Sequence, residues 1–591
     1  MAGNCSQSST VDTPAPARDK HAKALEFIEE TTKNADALQK QVLSQILSQN
    51  AQTEYLKSFH LNGATDRKTF KSKIPMATYD DLQPLIQRIV DCDRSPILSA
   101  HPVSEFMASS GTSSGDRKLF PNNEEETNRR LFLCSLIRPI LNKYVNGWDQ
   151  GKGLYFMFVK PVTRTPGGHP IQPGAIGMVK RRNVECRPND PYYDFTSPTQ
   201  TIYCTDFFQS MYSQMLCALY EREQVTRVGA QFALSLLRAI KFLQLNWQQL
   251  SHDIRTGSLN PNVTDPSIQE CMARVLRPDP ELAGFITEEC GKSSWEGIII
   301  RIWPNTKYID VVITGSTAQY IPTLDYYSAG LKKISWVYGS PECFPAINLN
   351  PICNPSEICY TIMPNMAYFE FLPYQPNSSE PAHHSDLIDL VEVKVGEEYE
   401  LVVTTYTGLY RYRVGDIVRV TGFHNSAPRF HFVKRRNVML SIDVHEADEV
   451  ELQEAIENAS KFLHEFNASV LDYTSYADMA KAPGHYVLYV ELLVKDSGES
   501  SPSDDVMNRC CLVVEESMNS VYRRCRVEEK SIESLEIRVV ESGTFEQVVD
   551  YAVMRGGSLN LYKVPRCLSF GPILDLLQSR VLSTHFSPPW T

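Results

Sequence analysis

Apolar residues in the N-terminal part of the chain recur at intervals of three and four positions, the spacing of one face of an α-helix. Between residues 20 and 57 the positions with this spacing are Ala24, Phe27, Ile28, Leu38, Val42, Ile46 and Leu47. The same spacing predicts helices over 124–144, 206–221 and 229–249. Residues 1–18 are instead rich in Ser, Thr and Pro, a composition that predicts a flexible tail.

From about residue 295 the pattern changes to short runs rich in β-branched residues, separated by Gly, Pro and Asn. Runs of this kind, bounded by turn-forming residues, are typical of β-strands. The predicted strands cover 297–302, 308–313, 334–338, 358–363, 399–404 and 416–421. A polar stretch over 374–386 predicts a loop.

Beyond about residue 432 the helical and strand patterns alternate. Helices are predicted over 448–466, 504–523 and 544–556, and strands over 484–495 and 535–540. A chain of 591 residues is too long for one ordinary core. We therefore predict an α/β protein with a tail over 1–18, a large N-terminal domain over 19–432 in which helices flank β-structure, and a small α+β domain over 433–591.

Composition excludes several classes of protein. The net charge of -12 disfavours sequence-independent nucleic-acid binding, which needs a basic face. No stretch approaches the ~20 apolar residues of a membrane helix, and the N-terminus lacks the apolar core of a secretory signal. The 15 Cys are scattered, with no pair at zinc spacing. These features predict a cytoplasmic protein with reduced thiols.

Four segments could carry chemistry. The first is the Ser/Thr/Gly-rich run from Ser109 to Lys118, whose small residues allow backbone N–H groups to approach an anion closely. It lacks the spacing of a Walker loop, and a flexible linker has the same composition. The second, from Trp336 to Glu342, follows a predicted strand; it could display an aromatic face and a carboxylate at a sheet end, or be an ordinary strand end.

The third segment places Asp416 after Gly415 at the start of a predicted strand. An ionised carboxylate accepts hydrogen bonds from a ribose diol, although a turn Asp paired with a nearby Arg fits the same pattern. The fourth contains Lys563, two residues before Pro565; it could contact a phosphate or be a surface charge.

In order and approximate spacing, these four segments resemble the adenylate-forming superfamily, which includes acyl-CoA synthetases and luciferases. Longer strings resemble one family within it, the plant Gretchen Hagen family of acyl acid amido synthetases. These strings are GKGLYFMFVKPVTRTPGG, QSMYSQMLCAL, TGSTAQYIPTLDYYSAGL, VGDIVRVTGFHNSAPRFHFVKRRNVMLSID and LNLYKVPRC. The resemblance covers about residues 24 to 570.

The resemblance implies a two-domain adenylate-forming ligase with a mobile C-terminal domain, ATP and Mg²⁺ as cofactors, and an acyl acid hormone and a free amino acid as partners. The phosphate loop would consist of Ser109, Ser110, Gly111, Thr112, Ser113 and Ser114. Tyr338 would stack on adenine and Asp416 would hold the ribose. Glu342, which would help to bind Mg²⁺, and Lys563, which would come from the mobile domain, would be the catalytic residues.

The acyl acid pocket is expected between helices 124–141 and 229–245 and the strand end at 336–344. Arg130 and Arg138 are candidate partners of the acid's carboxylate, and Trp336 and Phe344 are candidate walls. Gly339 favours a jasmonate-type acid, while Cys343 resembles the auxin-using members, so that indole-3-acetate or a benzoate is the alternative.

Two departures from the family pattern are present. Most members have Ser where this chain has Pro341, and many have Asp-Lys-Thr where it reads His445-Glu446-Ala447. Because Glu446 reverses a charge near anionic substrates, a non-catalytic hormone-binding protein is a further hypothesis.

Overall fold

The fold is taken from a computed structural model that describes residues 15–109, 118–158, 162–172, 194–374, 386–435, 439–442, 445–480, 483–494, 502–528, 532–555, 564–568 and 571–590. Its α-helices are Ala15–Lys33, Ala35–Gln49, Glu54–Ser58, Arg67–Lys73, Tyr79–Val90, Glu124–Ser135, Ile137–Tyr144, Thr199–Tyr203, Phe207–Tyr220, Ala233–Thr256, Pro266–Val275, Pro280–Cys290, Ile298–Ile302, Ile321–Ser328, Glu449–His464, Asp504–Ser517, Ser520–Arg523, Thr544–Met554 and Gly571–Gln578.

The strands are β1 Glu105–Ala108, β2 Leu119–Asn122, β3 Lys152–Phe156, β4 Thr163–Arg164, β5 Pro170–Gln172, β6 Val225–Phe232, β7 Tyr308–Val312, β8 Lys333–Ile334, β9 Val337–Tyr338, β10 Ala346–Ile347, β11 Tyr360–Ile362, β12 Tyr368–Pro373, β13 Ile388–Asp389, β14 Glu398–Thr404, β15 Tyr412–His424, β16 Ala427–Arg435, β17 Met439–Ile442, β18 His445–Asp448, β19 Ala468–Asp478, β20 His485–Val494, β21 Glu536–Val540 and β22 Val581–Phe586.

Among the described residues, three sheets build the N-terminal part. The largest has eight strands in the order β13-β12-β14-β15-β16-β11-β10-β9, and every neighbouring pair in it is antiparallel. A parallel sheet, β3-β6-β7-β8, is packed against the long helix Ala233–Thr256. The third sheet, β2-β1-β5-β4, contains the hairpin strands that flank the predicted phosphate loop.

The C-terminal part has a four-stranded sheet, β19-β20-β21-β22. Helices Glu449–His464 and Asp504–Ser517 enclose a separate apolar cluster with one side of this sheet. Phe545, Val548 and Val549 of helix Thr544–Met554 instead belong to the same contiguous cluster as the N-terminal core. The smaller part therefore shares this apolar cluster with the larger one, and the α/β architecture agrees with the prediction.

Several predicted elements differ from the structure. The predicted strand over 297–302 is the helix Ile298–Ile302, in which Ile298, Ile299 and Ile302 are buried. A short run of buried β-branched residues fits a helix or a strand equally well, and Gly297, at φ 65°, begins the helix. The predicted helix over 229–249 starts as strand β6 and becomes helical at Ala233.

Other helix boundaries also differ from the prediction. The predicted helix over 20–57 consists of three helices, the first of which begins at Ala15 within the predicted tail. The predicted helix over 124–144 is divided at Leu136. Most of the predicted loop over 374–386 lies outside the described residues. Among the described helices, none combines the length and apolar composition needed to span a bilayer.

Candidate active site

Tyr338 and Asp416 meet in the eight-stranded sheet although 78 residues separate them. Tyr338 ends β9 at one edge of the sheet, and its hydroxyl donates a hydrogen bond to Oδ2 of Asp416 on β15. Arg435 is the cross-strand partner of Asp416 on β16, and its Nε donates to Oδ1 of the same carboxylate over 2.9 Å. Gly415 precedes Asp416 at φ 80°, a conformation that favours glycine. The predicted adenine and ribose residues are thus in direct contact.

Burial and charge shape this contact. Asp416 is 3% exposed, and burial, followed by the neighbouring Asp416 charge, raises the pKa of Tyr338 well above its usual value. The Asp416 charge raises the pKa of Arg435. The ring of Tyr338 packs edge-on against Phe430, with centroids 5.1 Å apart, and lies 6.2 Å from Phe432. Tyr338 therefore remains a neutral donor on an aromatic wall.

Glu342 lies in a tight turn in which the backbone N–H of Ser340 donates to the carbonyl of Cys343 over 2.9 Å. Its side chain is 7% exposed, and Oε2 has no hydrogen-bond partner among the described residues. Burial raises the pKa of Glu342, an effect opposed by the charge of Arg435. A buried carboxylate oxygen with unused acceptor capacity suits a hard cation such as Mg²⁺, which commonly takes one or two carboxylates together with substrate phosphates.

Arg130 holds the turn that carries Glu342. Its Nε donates to Oε1 of Glu126 over 3.1 Å, and its Nη2 donates to the carbonyls of Pro341 at 3.0 Å and Glu342 at 3.4 Å. Only Nη1 lacks a hydrogen-bond partner in the described part of the chain. Arg130 thus positions a neighbouring segment, and Nη1 is the group left to meet an acid. Arg138 is half-buried on the next helix.

The two predicted wall residues lie on either side of Gly339. Trp336 is 5% exposed, its ring meets that of Tyr308 edge-on at 6.4 Å, and its Nε1 has no partner among the described residues. The Phe344 ring packs directly on Gly339, where an added Cβ would lie 2.9 Å from Cδ1 of Phe344. The guanidinium of Arg130 lies 5.1 Å from the same ring. A side chain at position 339 would therefore compete with the Phe344 ring for the same volume.

Three domain models of one protein family match this chain. They are the GH3 family N-terminal domain over residues 24–333, the central domain over 360–435 and the C-terminal domain over 450–572. The chain belongs to the GH3 family. This is the Gretchen Hagen family expected from the sequence, and that expectation is confirmed.

Curated GH3 proteins match nearly the whole chain. The probable indole-3-acetic acid-amido synthetase GH3.1 of Arabidopsis thaliana is 60% identical over 580 residues, which cover 98% of this chain and 97% of that protein. The indole-3-acetic acid-amido synthetase GH3.3 of the same plant is 58% identical over 571 residues, with 96% and 95% covered. GH3.8 of Oryza sativa subsp. indica, with the same enzyme name, is 56% identical over 584 residues, with 98% and 96% covered.

A solved GH3 structure has the same fold. The AtGH3.15 acyl acid amido synthetase in complex with 2,4-DB superposes with a TM-score of 0.89 at 42% identity, covering 98% of this chain and 100% of that one. The protein is accordingly an acyl acid–amino acid ligase of the adenylate-forming superfamily, which uses ATP. The predicted fold class and enzyme class are confirmed, and the hypothesis of a non-catalytic protein is set aside.

Parts of the expected GH3 site lie outside the described residues. Of the phosphate loop, Ser109 is described: its N–H donates to the carbonyl of Lys118 over 2.9 Å, and its Oγ accepts from the N–H of Lys118 over 3.2 Å. This closes the β1–β2 hairpin at the base of the loop. Ser110, Gly111, Thr112, Ser113 and Ser114 lie outside the described residues, as does Lys563. Glu446 pairs with Ser441 in the β17–β18 hairpin, and its side chain is not among those described.

Arg435 is the site residue that the sequence analysis missed. It was visible only as one member of a basic segment, Lys434 to Arg436. Its contact with Asp416 follows from the register of β15 and β16, which the sequence pattern alone does not show.

Proposed function

We infer that this protein adenylates indole-3-acetic acid with ATP and transfers the acyl group to the amine of an amino acid. One observation carries the choice of acid. A relative at 60% identity is named a probable indole-3-acetic acid-amido synthetase and one at 58% an indole-3-acetic acid-amido synthetase, matched over 98% and 96% of this chain. The auxin alternative is therefore better supported than the jasmonate-type acid that Gly339 favoured.

The proposed nucleotide site centres on Asp416. Its carboxylate is acceptor-only when ionised, so that ribose hydroxyls would donate to it. The bonds from Tyr338 and Arg435 fix the orientation of this carboxylate before the nucleotide binds. The ring of Tyr338, already part of an aromatic wall, would stack on adenine. The phosphates would then extend toward the loop that begins at Ser109.

The proposed Mg²⁺ site centres on Glu342, whose unpartnered oxygen fits a hard cation. Bound Mg²⁺ would supply neutralisation of negative charge on the phosphate oxygens. Arg130 donates hydrogen bonds to the carbonyls of Pro341 and Glu342. It would therefore fix the position of the turn that carries the Glu342 carboxylate. Within the described residues, no cluster of three His, Cys, Asp or Glu side chains forms a metal site.

The reaction would proceed in two steps. A carboxylate oxygen of the acid attacks the α-phosphorus of ATP, the bond to pyrophosphate breaks, and an acyl-adenylate forms. The amine of the amino acid then attacks the acyl carbon, the bond to AMP breaks, and the proton lost by the amine passes to solvent. We assign Lys563 to the stabilisation of the charge that develops on phosphate in the first step. We place the domain boundary after residue 432, near the end of β16.

The experiment is a measurement of kcat/KM for indole-3-acetate, jasmonate and benzoate with saturating ATP and mixed amino acids, with the amide products identified by mass spectrometry. The highest kcat/KM for indole-3-acetate would support the proposal. A preference of about tenfold for jasmonate would overturn the choice of acid and point to the Gly339–Phe344 pair, because hydrophobic pockets discriminate similar ligands by about that factor.

A further inference from the structure

A buried contact joins the two parts of the molecule outside the proposed nucleotide site. The hydroxyl of Tyr320, at the end of the 3-10 helix Gly315–Tyr320, donates to Oδ2 of Asp472 on β19 over 2.7 Å. Nη1 of Arg566 donates to Oδ1 of the same carboxylate over 2.6 Å. The three residues are 2–4% exposed. One carboxylate therefore receives a donor from each side of the interface.

The C-terminal side of this contact is internally bound. Ser475 of β19 donates its N–H to the carbonyl of Arg566 over 2.9 Å, and Leu568 donates its N–H to the carbonyl of Ser475 over 2.7 Å. The hydroxyl of Thr474 donates to the carbonyl of Pro565. Residues 564–568 thus lie along β19, and the Asp472–Arg566 pair belongs wholly to the smaller part.

The N-terminal side is joined to the aromatic wall. Gly315, which begins the 3-10 helix at φ 64°, packs so closely on Phe432 that an added Cβ would lie 2.8 Å from its ring. The Phe432 ring lies 6.2 Å from that of Tyr338. The hydroxyls of Thr314 and Tyr360 are 3.4 Å apart, and the Tyr360 ring lies 6.0 Å from Tyr338. One short helix therefore touches both the proposed adenine wall and the domain contact.

Both charged residues of this contact lie in the C-terminal part, so that the contact can break without separating a buried ion pair. If the smaller part turns away, the ion pair of Asp472 and Arg566 moves with it intact. Within this three-residue contact, the group that then exchanges its partner for water is the neutral phenol of Tyr320, which is far less unfavourable than separating a buried ion pair. Another polar contact between described residues of the two parts, Arg238 to Asp550 at 2.8 Å, ends on a carboxylate that is 55% exposed, so that it contributes little to the docking.

We propose that Tyr320 is a positioning residue that fixes the orientation of the C-terminal domain by donating to the Asp472–Arg566 pair. This inference rests on the proposed function, because an enzyme that runs two reactions on one intermediate needs its small domain in two orientations. The docked orientation serves one half-reaction, so that loss of the phenol should change the ratio of the two half-reaction rates.

The test compares Tyr320→Phe with Tyr212→Phe. Tyr212 makes the same kind of bond, from its hydroxyl to Oδ2 of Asp253 over 2.8 Å, and both residues are buried within the N-terminal part. Adenylation is measured by ATP–pyrophosphate exchange with indole-3-acetate. Transfer is measured by single turnover of preformed acyl-adenylate with the amino acid that the parent enzyme uses.

Tyr320→Phe should change the ratio of the two rates by about tenfold, the effect of one hydrogen bond to a charged partner, with unchanged KM values for ATP and the acid. Tyr212→Phe should keep the parent ratio. An unchanged ratio in folded Tyr320→Phe overturns the inference, as does an equal change in both variants. If Tyr320→Phe fails to fold, the same ratio is measured in Asp472→Asn. A parent enzyme that does not use indole-3-acetate defeats only the proposed substrate, and the ratio is then measured with the acid it does use.

Discussion

Replacing Asp416 by Asn should weaken ATP binding without changing the shape of the site. In the structure the carboxylate is 3% exposed and accepts from Tyr338 and from Arg435 over 2.9 Å. The amide of Asn presents one oxygen acceptor and one NH₂ donor. Its NH₂ group would face either the phenol or the guanidinium, both of which are donors in the parent protein.

The magnitude follows from the ribose bonds. A hydrogen bond to a charged acceptor contributes about 1.5–3 kcal/mol and one to a neutral acceptor about 0.5–1.5 kcal/mol, so that two ribose bonds would lose about 2 kcal/mol in total. This corresponds to a loss of about 30-fold in affinity for ATP. In the proposed site the acyl acid lies against the Gly339–Phe344 pair and Asp416 holds the ribose, so that the affinity for the acid should change little.

The assay is pyrophosphate exchange at varied ATP, together with calorimetric titration of ATP. Glu400→Gln is the matched control, because Glu400 is a 2% exposed carboxylate on β14 that pairs with Arg413 through bonds of 3.0 and 2.6 Å in the same sheet. It should lose stability while its KM for ATP stays that of the parent. Folded Asp416→Asn enzyme whose KM for ATP rises by less than about threefold would refute the assignment of the ribose site.

Four further outcomes are expected. Glu342→Gln should raise the Mg²⁺ concentration needed for half-maximal exchange by about tenfold or more, and an unchanged Mg²⁺ dependence would remove Glu342 from the metal site. In the parent enzyme, burial raises the pKa of the Glu342 carboxyl, so that pyrophosphate exchange should fall as the pH drops through that raised pKa. Added Mg²⁺ favours the ionised carboxylate and should move this loss of activity to lower pH. A loss of activity at the same pH with and without added Mg²⁺ would contradict this. Gly339→Ala should displace the Phe344 ring and alter the ratio of kcat/KM for indole-3-acetate and jasmonate by about tenfold. Gly284→Ala is the control, because a Cβ added there has no atom within 4 Å, and it should leave the ratio unchanged. Equal ratios in both variants would exclude Gly339 and Phe344 from acid selection. Lys563→Ala should slow single-turnover adenylation by about a hundredfold or more, with little change in acid affinity, and a parent-like rate would exclude it from the chemistry.

Sequence motifs were sufficient to predict the site residues that lie within short continuous segments. Tyr338 and Asp416 were predicted separately as adenine and ribose residues, and the structure brings them together. Arg435 was not predicted because its meeting with Asp416 depends on the register of β15 and β16, which shifts at two bulges, between Ile417 and Val418 and between Val420 and Gly422. A bulge changes which side chains face each other without leaving a pattern that single-sequence reasoning can read.

Long-range contacts were beyond the sequence for the same reason. The contact of Tyr320 with Asp472 joins residues 152 positions apart, and Arg130 meets carbonyls 211 and 212 positions away. Periodicity correctly placed Arg130 on a helix. It could not show that two of its donors are already used to hold the turn of Glu342, because that depends on how the helix packs on the sheet.

Arg435 connects the proposed nucleotide site to the junction between the domains. It is the last residue of β16, and the chain continues from it into the C-terminal part. Its guanidinium is paired with Asp416 at the proposed ribose position, and its side chain is 48% exposed on the other side. A ribose that donated to Asp416 would share that carboxylate with Arg435, because an ionised carboxylate accepts more than the two hydrogen bonds already present. We therefore expect the proposed ribose position and the start of the domain junction to meet at this carboxylate, because Arg435 is both its partner and the last residue of the strand that leads into the C-terminal part.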